Sequence, residues 1–314
     1  MSAIPLQAPA GGSAPLISKP GIYDLSNEAY HGQPCVGPSI SGSGLTMMEQ
    51  FCPARFWEVS SLNPNATPEK QADGFSVGKA AHNLILEGEE AFLRDVIVKP
   101  EGHNGSTKKG KAWLAEQAER IKARATLINH DEWMMIKAMA DAVARDPRAS
   151  KAFTDGRPEQ SLIWQDRQTG IWLKSRPDWL PYNSRFCPNY KTAACAKPSV
   201  FKNSAFKNGY DQSAALCIEG LSEVCGIADP VYYFVVQEKE RPYLVSIVTL
   251  EEADLDWARL LNRRWLDVAA ECLQTGVWPG YGDEVVTIRR PVYMERELDR
   301  RHEAGEFVNT VLGA

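Results

Sequence analysis

Nowhere in the chain is there a run of about eighteen apolar residues, so nothing in it reads as a membrane-crossing helix. The seven cysteines, at 35, 52, 187, 195, 217, 225 and 272, are odd in number and include no CxxC pair. That spacing argues against a disulfide framework and a structural zinc site, and free thiols fit a reducing compartment. Positive charge is short: 35 Lys and Arg against 40 Asp and Glu, a net charge of −5. Such a balance excludes a protein that coats nucleic acid through bulk charge, but not one with a local basic face. The first residues lack the basic start and apolar core of an export signal. Being rich in Ala, Pro, Gly and Ser, residues 1–20 read as a mobile tail. No internal repeat occurs.

What is present is an ordinary globular composition, 44% hydrophobic and 24% charged over 314 residues. Residues 39–150 read as mostly helical. SISGSGLTMMEQFCPARFW opens with serines suited to a helix N-terminus, followed by Leu45, Met48 and Phe51/Cys52 at helical spacing. FSVGKAAHNLILEGEEAFL, KKGKAWLAEQAERIKARA and HDEWMMIKAMADAVARD read as three more helices. From about residue 158 the pattern turns to strands: EQSLIWQD, IWLKSRPDWL and RFCPNYKT. A helix over GYDQSAALCIEGLSEVCG, two paired strands (VYYFVVQEK and PYLVSIVTL) and a long helix ending at Gly276 follow. This order predicts an α/β fold, a mixed central sheet flanked by helices, with an N-terminal helical region. One domain is expected over 21–290, its α/β core at about 158–280, and a C-terminal extension over 291–314.

The region 159–192 can supply the groups that phosphodiester cleavage needs. Asp178 ends one strand; Asn189 and Lys191, two residues apart on the next, share a face. Tyr190 points the other way, leaving its carbonyl free for a metal. Glu159 opens the preceding strand, and His82 sits upstream on a helix among small and apolar neighbours. Mg²⁺ prefers hard oxygen ligands and is held by one or two carboxylates, and a lysine beside it can orient a nucleophile or stabilise charge at phosphorus. Each residue also has a plain alternative: His82 as a satisfied core histidine, Asp178 as a turn acid after a proline, Lys191 as a solvated strand-end lysine. Lys197, Lys202 and Lys207 follow this strand closely and are candidates for backbone phosphates.

The ordered series SxSGL, CPARFW, GKAAH, PEQSLIW, TGIWLKSRPDW, NYKT and GYDQ resembles the PD-(D/E)xK nuclease superfamily. More narrowly it is similar to the RecE (exonuclease VIII) type of phage and prophage recombination nuclease, over roughly residues 35–280. The resemblance implies a restriction-endonuclease-like core and a Mg²⁺ cofactor, for which Mn²⁺ can substitute. It implies His82, Asp178, residue 189 and the Tyr190 carbonyl as metal ligands, and Lys191 as the catalytic lysine. Gln212 is implied to organise the lysine or the attacking water, and Glu159 to be an acid of the core. Ser39, Ser41 and Ser43 are then placed to meet a phosphate at a helix N-terminus. Some relatives carry an iron–sulfur cluster, but the C-terminal region here offers only Cys272, so none is expected. The implied activity is 5′-to-3′ digestion of linear double-stranded DNA that leaves 3′ overhangs. The implied partners are DNA ends, a single-strand annealing protein and further copies in a ring or tetramer-like oligomer. The implied place is the cytoplasm of a bacterium or a phage-infected host, with no membrane.

One residue departs from the pattern. Where the motif calls for Asp or Glu, this chain has Asn189, which offers an amide oxygen without charge. Weak metal binding and impaired cleavage are expected. Three explanations compete: an engineered or otherwise recent change in an exonuclease, a DNA-end-binding relative that has lost catalysis, or Glu159 supplying the missing charge. Retention of His82 and Lys191 favours the first. A different PD-(D/E)xK activity, an endonuclease or a repair nuclease, is the remaining alternative.

Overall fold

The computed structural model describes residues 16–67, 75–122, 125–282 and 284–307. Of the tail expected over residues 1–20, residues 1–15 lie outside those described. Ile17 is already buried beside Cys35, its N–H donating to the Pro34 carbonyl, so the anchored chain begins earlier than expected.

The N-terminal half supplies β1 (Gly21–Tyr23), α1 (Asn27–His31), β2 (Ser39–Ser41), α2 (Gly42–Gln50) and α3 (Pro53–Val59). Next come α4 (Phe75–His82), a π-helical turn at Asn83–Glu87, α5 (Gly88–Asp95), β3 (Val96–Val98), α6 (Lys108–Glu116), α7 (Ala118–Lys122) and β4 (Thr126–Ile128). Then follow α8 (His130–Arg145) and α9 (Ala149–Ala152). Asn129 begins α8 with a reciprocal cap: its side chain accepts from the Glu132 N–H while the Glu132 carboxylate accepts from the Asn129 N–H. The helix ends at Arg145, two residues before Pro147, because proline disfavours helical geometry in the residue before it.

Three segments differ from their expected form. SIS is a strand, not the start of a helix, and pairs in parallel with a strand more than 130 residues away. The helix expected through CPARFW breaks at Cys52, since Pro53 cannot donate within a continuing helix. It leaves Phe51 exposed while Leu45, Met48 and Cys52 are buried. The helix through GKAAHNLILEGEE is interrupted by the π-helical turn immediately after His82.

The second half contains β5 (Gly156–Pro158), β6 (Ser161–Gln165), β7 (Trp172–Ser175), β8 (Trp179–Pro181) and β9 (Phe186–Ala193). It continues with α10 (Pro198–Lys207), α11 (Tyr210–Cys225), β10 (Val231–Glu238), β11 (Val245–Thr249) and α12 (Glu252–Thr275). The strands form two principal ladders. One has the order β1-β6-β7-β2, antiparallel except for the parallel pair β7 and β2. The other has the order β11-β10-β9, with β10 parallel to β9 and antiparallel to β11. The expected strand IWLKSRPDWL is divided: β7 ends at Ser175, and Asp178 lies in the bend before β8.

Both faces of these sheets are covered. On one side Leu162, Trp164, Leu173, Cys187, Phe234 and Val236 pack against α2, α11 and α12. On the other, Tyr190 and Val235 pack with Ala80, Ala81, Ile136 and Met139 of α4 and α8. Burial on both faces is why these strands read as nearly continuous apolar runs. The mixed α/β architecture, with its sheet between helices, is the one the element order predicts.

The chain divides after Gly280 into two units. In the first, the segment after α12 is tied down: Trp278 stacks on Trp57 at 4.6 Å between centroids, and the Pro279 carbonyl accepts from the Ala54 N–H. The second, from Tyr281, contains α13 (Val292–Glu303); its Arg289–Glu295 and Arg300–Glu297 contacts are surface ion pairs worth little each. Among the described residues no helix is long and apolar enough to cross a membrane.

Candidate metal centre

Three elements bring three side chains to one point. His82 is the last residue of α4, Glu159 lies between β5 and β6, and Asp178 lies in the bend between β7 and β8. His82 Nε2 is 3.3 Å from Glu159 Oε1 and 3.4 Å from Asp178 Oδ1. One ligand atom from each residue falls within 4.8 Å of the others. Gly78, one turn before His82, lets α4 approach β9: a β-carbon there would sit 3.2 Å from the Thr192 hydroxyl. Glu159 holds a left-handed backbone (φ 53°), which is unfavourable for a residue with a side chain, and its N–H donates to the Asp178 carbonyl.

Asp178 is the hub. Its Oδ2 accepts the Tyr190 N–H at 2.6 Å and lies 3.8 Å from Lys191 Nζ. Burial opposes its charge, but Lys191, His82 and the Tyr190 N–H outweigh burial and hold its carboxyl below the ordinary range. For His82, burial favours the neutral ring, yet the Asp178 and Glu159 carboxylates win and raise its pKa. Glu159 goes the other way. Burial, aided by the Asp178 charge, overcomes the His82 and Arg176 cations and pushes it up to about 7. Two acids and a histidine whose charges compete at this range make a site in which a cation would relieve repulsion.

The strand β9 alternates as its sequence requires. Cys187, paired side by side with Tyr232, belongs to the α11-side core, and Tyr190 to the α4-side core, so Asn189 and Lys191 share the α11 side. Asn189 is 4% exposed, and its Oδ1 has no hydrogen-bond partner. A buried acceptor left bare is costly and calls for a ligand or a water. The expected free carbonyl of Tyr190 is not bare: it accepts from Lys191 Nζ at 3.3 Å. Lys191 Nζ also lies 5.7 Å from the centre of the Tyr210 ring. The donor set, two carboxylates and one imidazole, fits a hard divalent ion.

Other expected residues are placed differently. Gln212 is buried, and its amide donates to Asn262 Oδ1 while Asn262 donates to the Gln212 carbonyl. It therefore ties α11 to α12, and its side chain makes no hydrogen bond to Lys191. Ser39 is buried and bonded through both its N–H and its hydroxyl to Gln33 Oε1, so it cannot meet a phosphate in this arrangement. Ser41 and Ser43 stand at the N-terminus of α2 with hydroxyls 3.0 Å apart, and neither caps the helix. Lys197, Lys202 and Lys207 are all exposed along α10. Gly209, in the left-handed region at φ 64°, starts α11 close against Thr46, whose Cγ2 would be 2.2 Å from an added β-carbon.

Sequence reasoning missed the support beneath Glu159. Arg176 donates to Ser161 Oγ at 3.0 and 2.8 Å and to the Leu25 carbonyl at 2.8 Å, and lies over the Tyr30 ring at 4.1 Å. Its Nη1 is 3.8 Å from Glu159 Oε2. Lys174, two residues earlier, is buried and donates to the carbonyls of Tyr30 and Gly32, and burial brings its pKa down to about 8. The signal was a pair of cations two apart in an otherwise apolar strand, which marks one face closed by another segment. Arg176→Ala is expected to destabilise the fold by roughly 3 kcal/mol, measured by urea unfolding, because it strips partners from buried groups.

With this geometry in view, residues 41–291 match a family described as "PDDEXK-like domain of unknown function (DUF3799)". No curated protein matches. Among solved structures, one described as "Putative exonuclease" from Eubacterium rectale superposes with a TM-score of 0.55 at 13% identity. The match covers 87% of this chain and 98% of the other. At that identity the likeness concerns the fold.

Proposed function

The chain belongs to the PDDEXK-like domain family, and on that premise we propose that it is a divalent-metal-dependent exonuclease acting on linear double-stranded DNA. The observation that carries this reading is the convergence of His82, Glu159 and Asp178 beside Lys191. His82, Glu159 and Asp178 would hold the ion, Mg²⁺ or in its place Mn²⁺, with Asn189 as a neutral contributor. When bound, such an ion supplies Lewis acidity toward a phosphate oxygen and a water of lowered pKa. Lys191, held by the Tyr190 carbonyl and Asp178, stands ready to orient a nucleophile or meet negative charge at phosphorus. Ser41 and Ser43 at the start of α2, with the lysines of α10, are the phosphate contacts of this reading. The direction is 5′-to-3′, the product a 3′ overhang, and the partner an annealing protein for that overhang. An oligomer that encloses the duplex fits the need for processivity, since screened phosphate contacts alone release DNA readily.

A second reading rests on Asn189. Without a charge at that position the chain binds DNA ends and cuts poorly or not at all. One experiment separates these from an endonuclease. The chain is incubated with Mn²⁺ and either linear or covalently closed duplex DNA, the linear form labelled at its 5′ or 3′ ends. The exonuclease reading expects label release from the 5′ ends and intact circles. Nicked or linearised circles would instead identify an endonuclease, and salt-sensitive binding without label release the end-binding module.

A further inference from the structure

From Trp179 to Tyr210 the chain carries not one Asp or Glu, although it has 40 of them overall and a net charge of −5. Arg185, Lys191, Lys197, Lys202 and Lys207 all fall in that stretch. Lys191 stands at the acidic cluster, and the last three border or lie on α10 and are exposed. The inner side of α10 is fixed to the site. Phe201 is buried, with its ring 6.2 Å from Tyr210 and 5.9 Å from Phe234, and Tyr210 is the ring beneath Lys191. The outer side combines charge with aromatic surface. Lys202 and Phe206, four residues apart, share a face, and Phe206 is 43% exposed.

A second aromatic comes to the same place from another helix. The Gln50 amide donates to the Lys207 carbonyl at 2.8 Å, so the C-terminal ends of α2 and α10 abut. Phe51 and Phe206 are the chain neighbours of that bonded pair, and Phe51 is 50% exposed. A single exposed apolar residue needs no explanation. Two phenylalanines at one helix junction, with Lys202 and Lys207 on the adjoining helix, are a different matter, even with Glu49 and Asp211 flanking the junction. Lysines alone serve any nucleic acid backbone, but an exposed ring discriminates. Bases in a duplex are stacked on one another, whereas those of a single strand offer free faces.

We propose that this junction is a platform for single-stranded DNA. Lys197, Lys202 and Lys207 take the phosphates, and Phe51 and Phe206 stack on bases of the strand left unpaired next to the metal centre. The placement rests on the exonuclease reading above, which supplies such a strand.

The test uses the full chain in EDTA, with fluorescence anisotropy of a labelled oligothymidylate measured over a range of salt. Phe206→Ala and Phe51→Ala are each expected to weaken binding about tenfold at constant salt slope, and Phe206→Trp to retain it. Lys202→Ala and Lys207→Ala are each expected to lower the salt slope by about 0.7. Binding to a blunt duplex of equal length should respond to the lysine changes and not to the phenylalanine changes. The proposal is overturned if the folded double variant of Phe51 and Phe206 binds the oligonucleotide like the parent, or if duplex binding falls equally. Failure of the nuclease reading looks different: the oligonucleotide responses persist in a chain that digests no DNA even as Asn189→Asp.

Discussion

Asn189→Asp is expected to raise Mg²⁺-dependent digestion of linear duplex DNA by at least about a hundredfold, since removing even an outer-shell partner of a metal site costs about 10–100-fold. The side chain is buried, its Oδ1 has no partner, and its neighbour Tyr190 donates to Asp178. The change adds a full charge without altering shape, and Mg²⁺ affinity depends on carboxylate charge. A further consequence separates this account from a general gain of activity. Without metal, a carboxylate buried at a position whose Oδ1 has no partner is costly, so the apo variant should melt lower than the parent. Adding Mg²⁺ should then raise its melting temperature more than it raises the parent's, since an ion that binds only the folded state stabilises it. If the folded, DNA-bound variant stays as inert as the parent, position 189 is not where cleavage was lost.

Asp178→Ala is the second large effect. In the Asn189→Asp background it is expected to reduce digestion by about a thousandfold or more, and in any background to abolish Mn²⁺ binding followed by electron paramagnetic resonance. Asp178 accepts the buried Tyr190 N–H and faces both His82 and Lys191. Truncation leaves an unpaired donor and two cations without their partner, which should cost about 3–5 kcal/mol of stability. Asp178→Asn divides the two roles. The amide oxygen still accepts from Tyr190, so most stability should survive while ion binding is lost. If Asp178→Asn binds Mn²⁺ like the parent, Asp178 is a structural hub only.

The parts of this molecule that were legible in its sequence are those where local pattern and burial agree. α8, α11, α12 and the β10–β11 pair follow from periodicity, capping residues and β-branched runs. The shared face of Asn189 and Lys191 follows from spacing, because a strand places alternate residues on one face. The rest depends on contacts between distant segments. SIS became a strand because β7 offers it a parallel partner, which no local preference encodes. Gln212 bonds to Asn262 on α12, fifty residues on, and Arg176 closes against Leu25 and Tyr30, about 150 residues before it, contacts that no local pattern encodes. Glu159 reaches the cluster through a left-handed backbone, and nothing at a glutamate after proline announces that conformation.

The most direct measurement is anomalous diffraction from crystals soaked in Mn²⁺. The account predicts one Mn²⁺ peak in contact with His82 Nε2 and the carboxylates of Glu159 and Asp178. A well-ordered cluster with no peak there, or an ion bound only elsewhere, would contradict it.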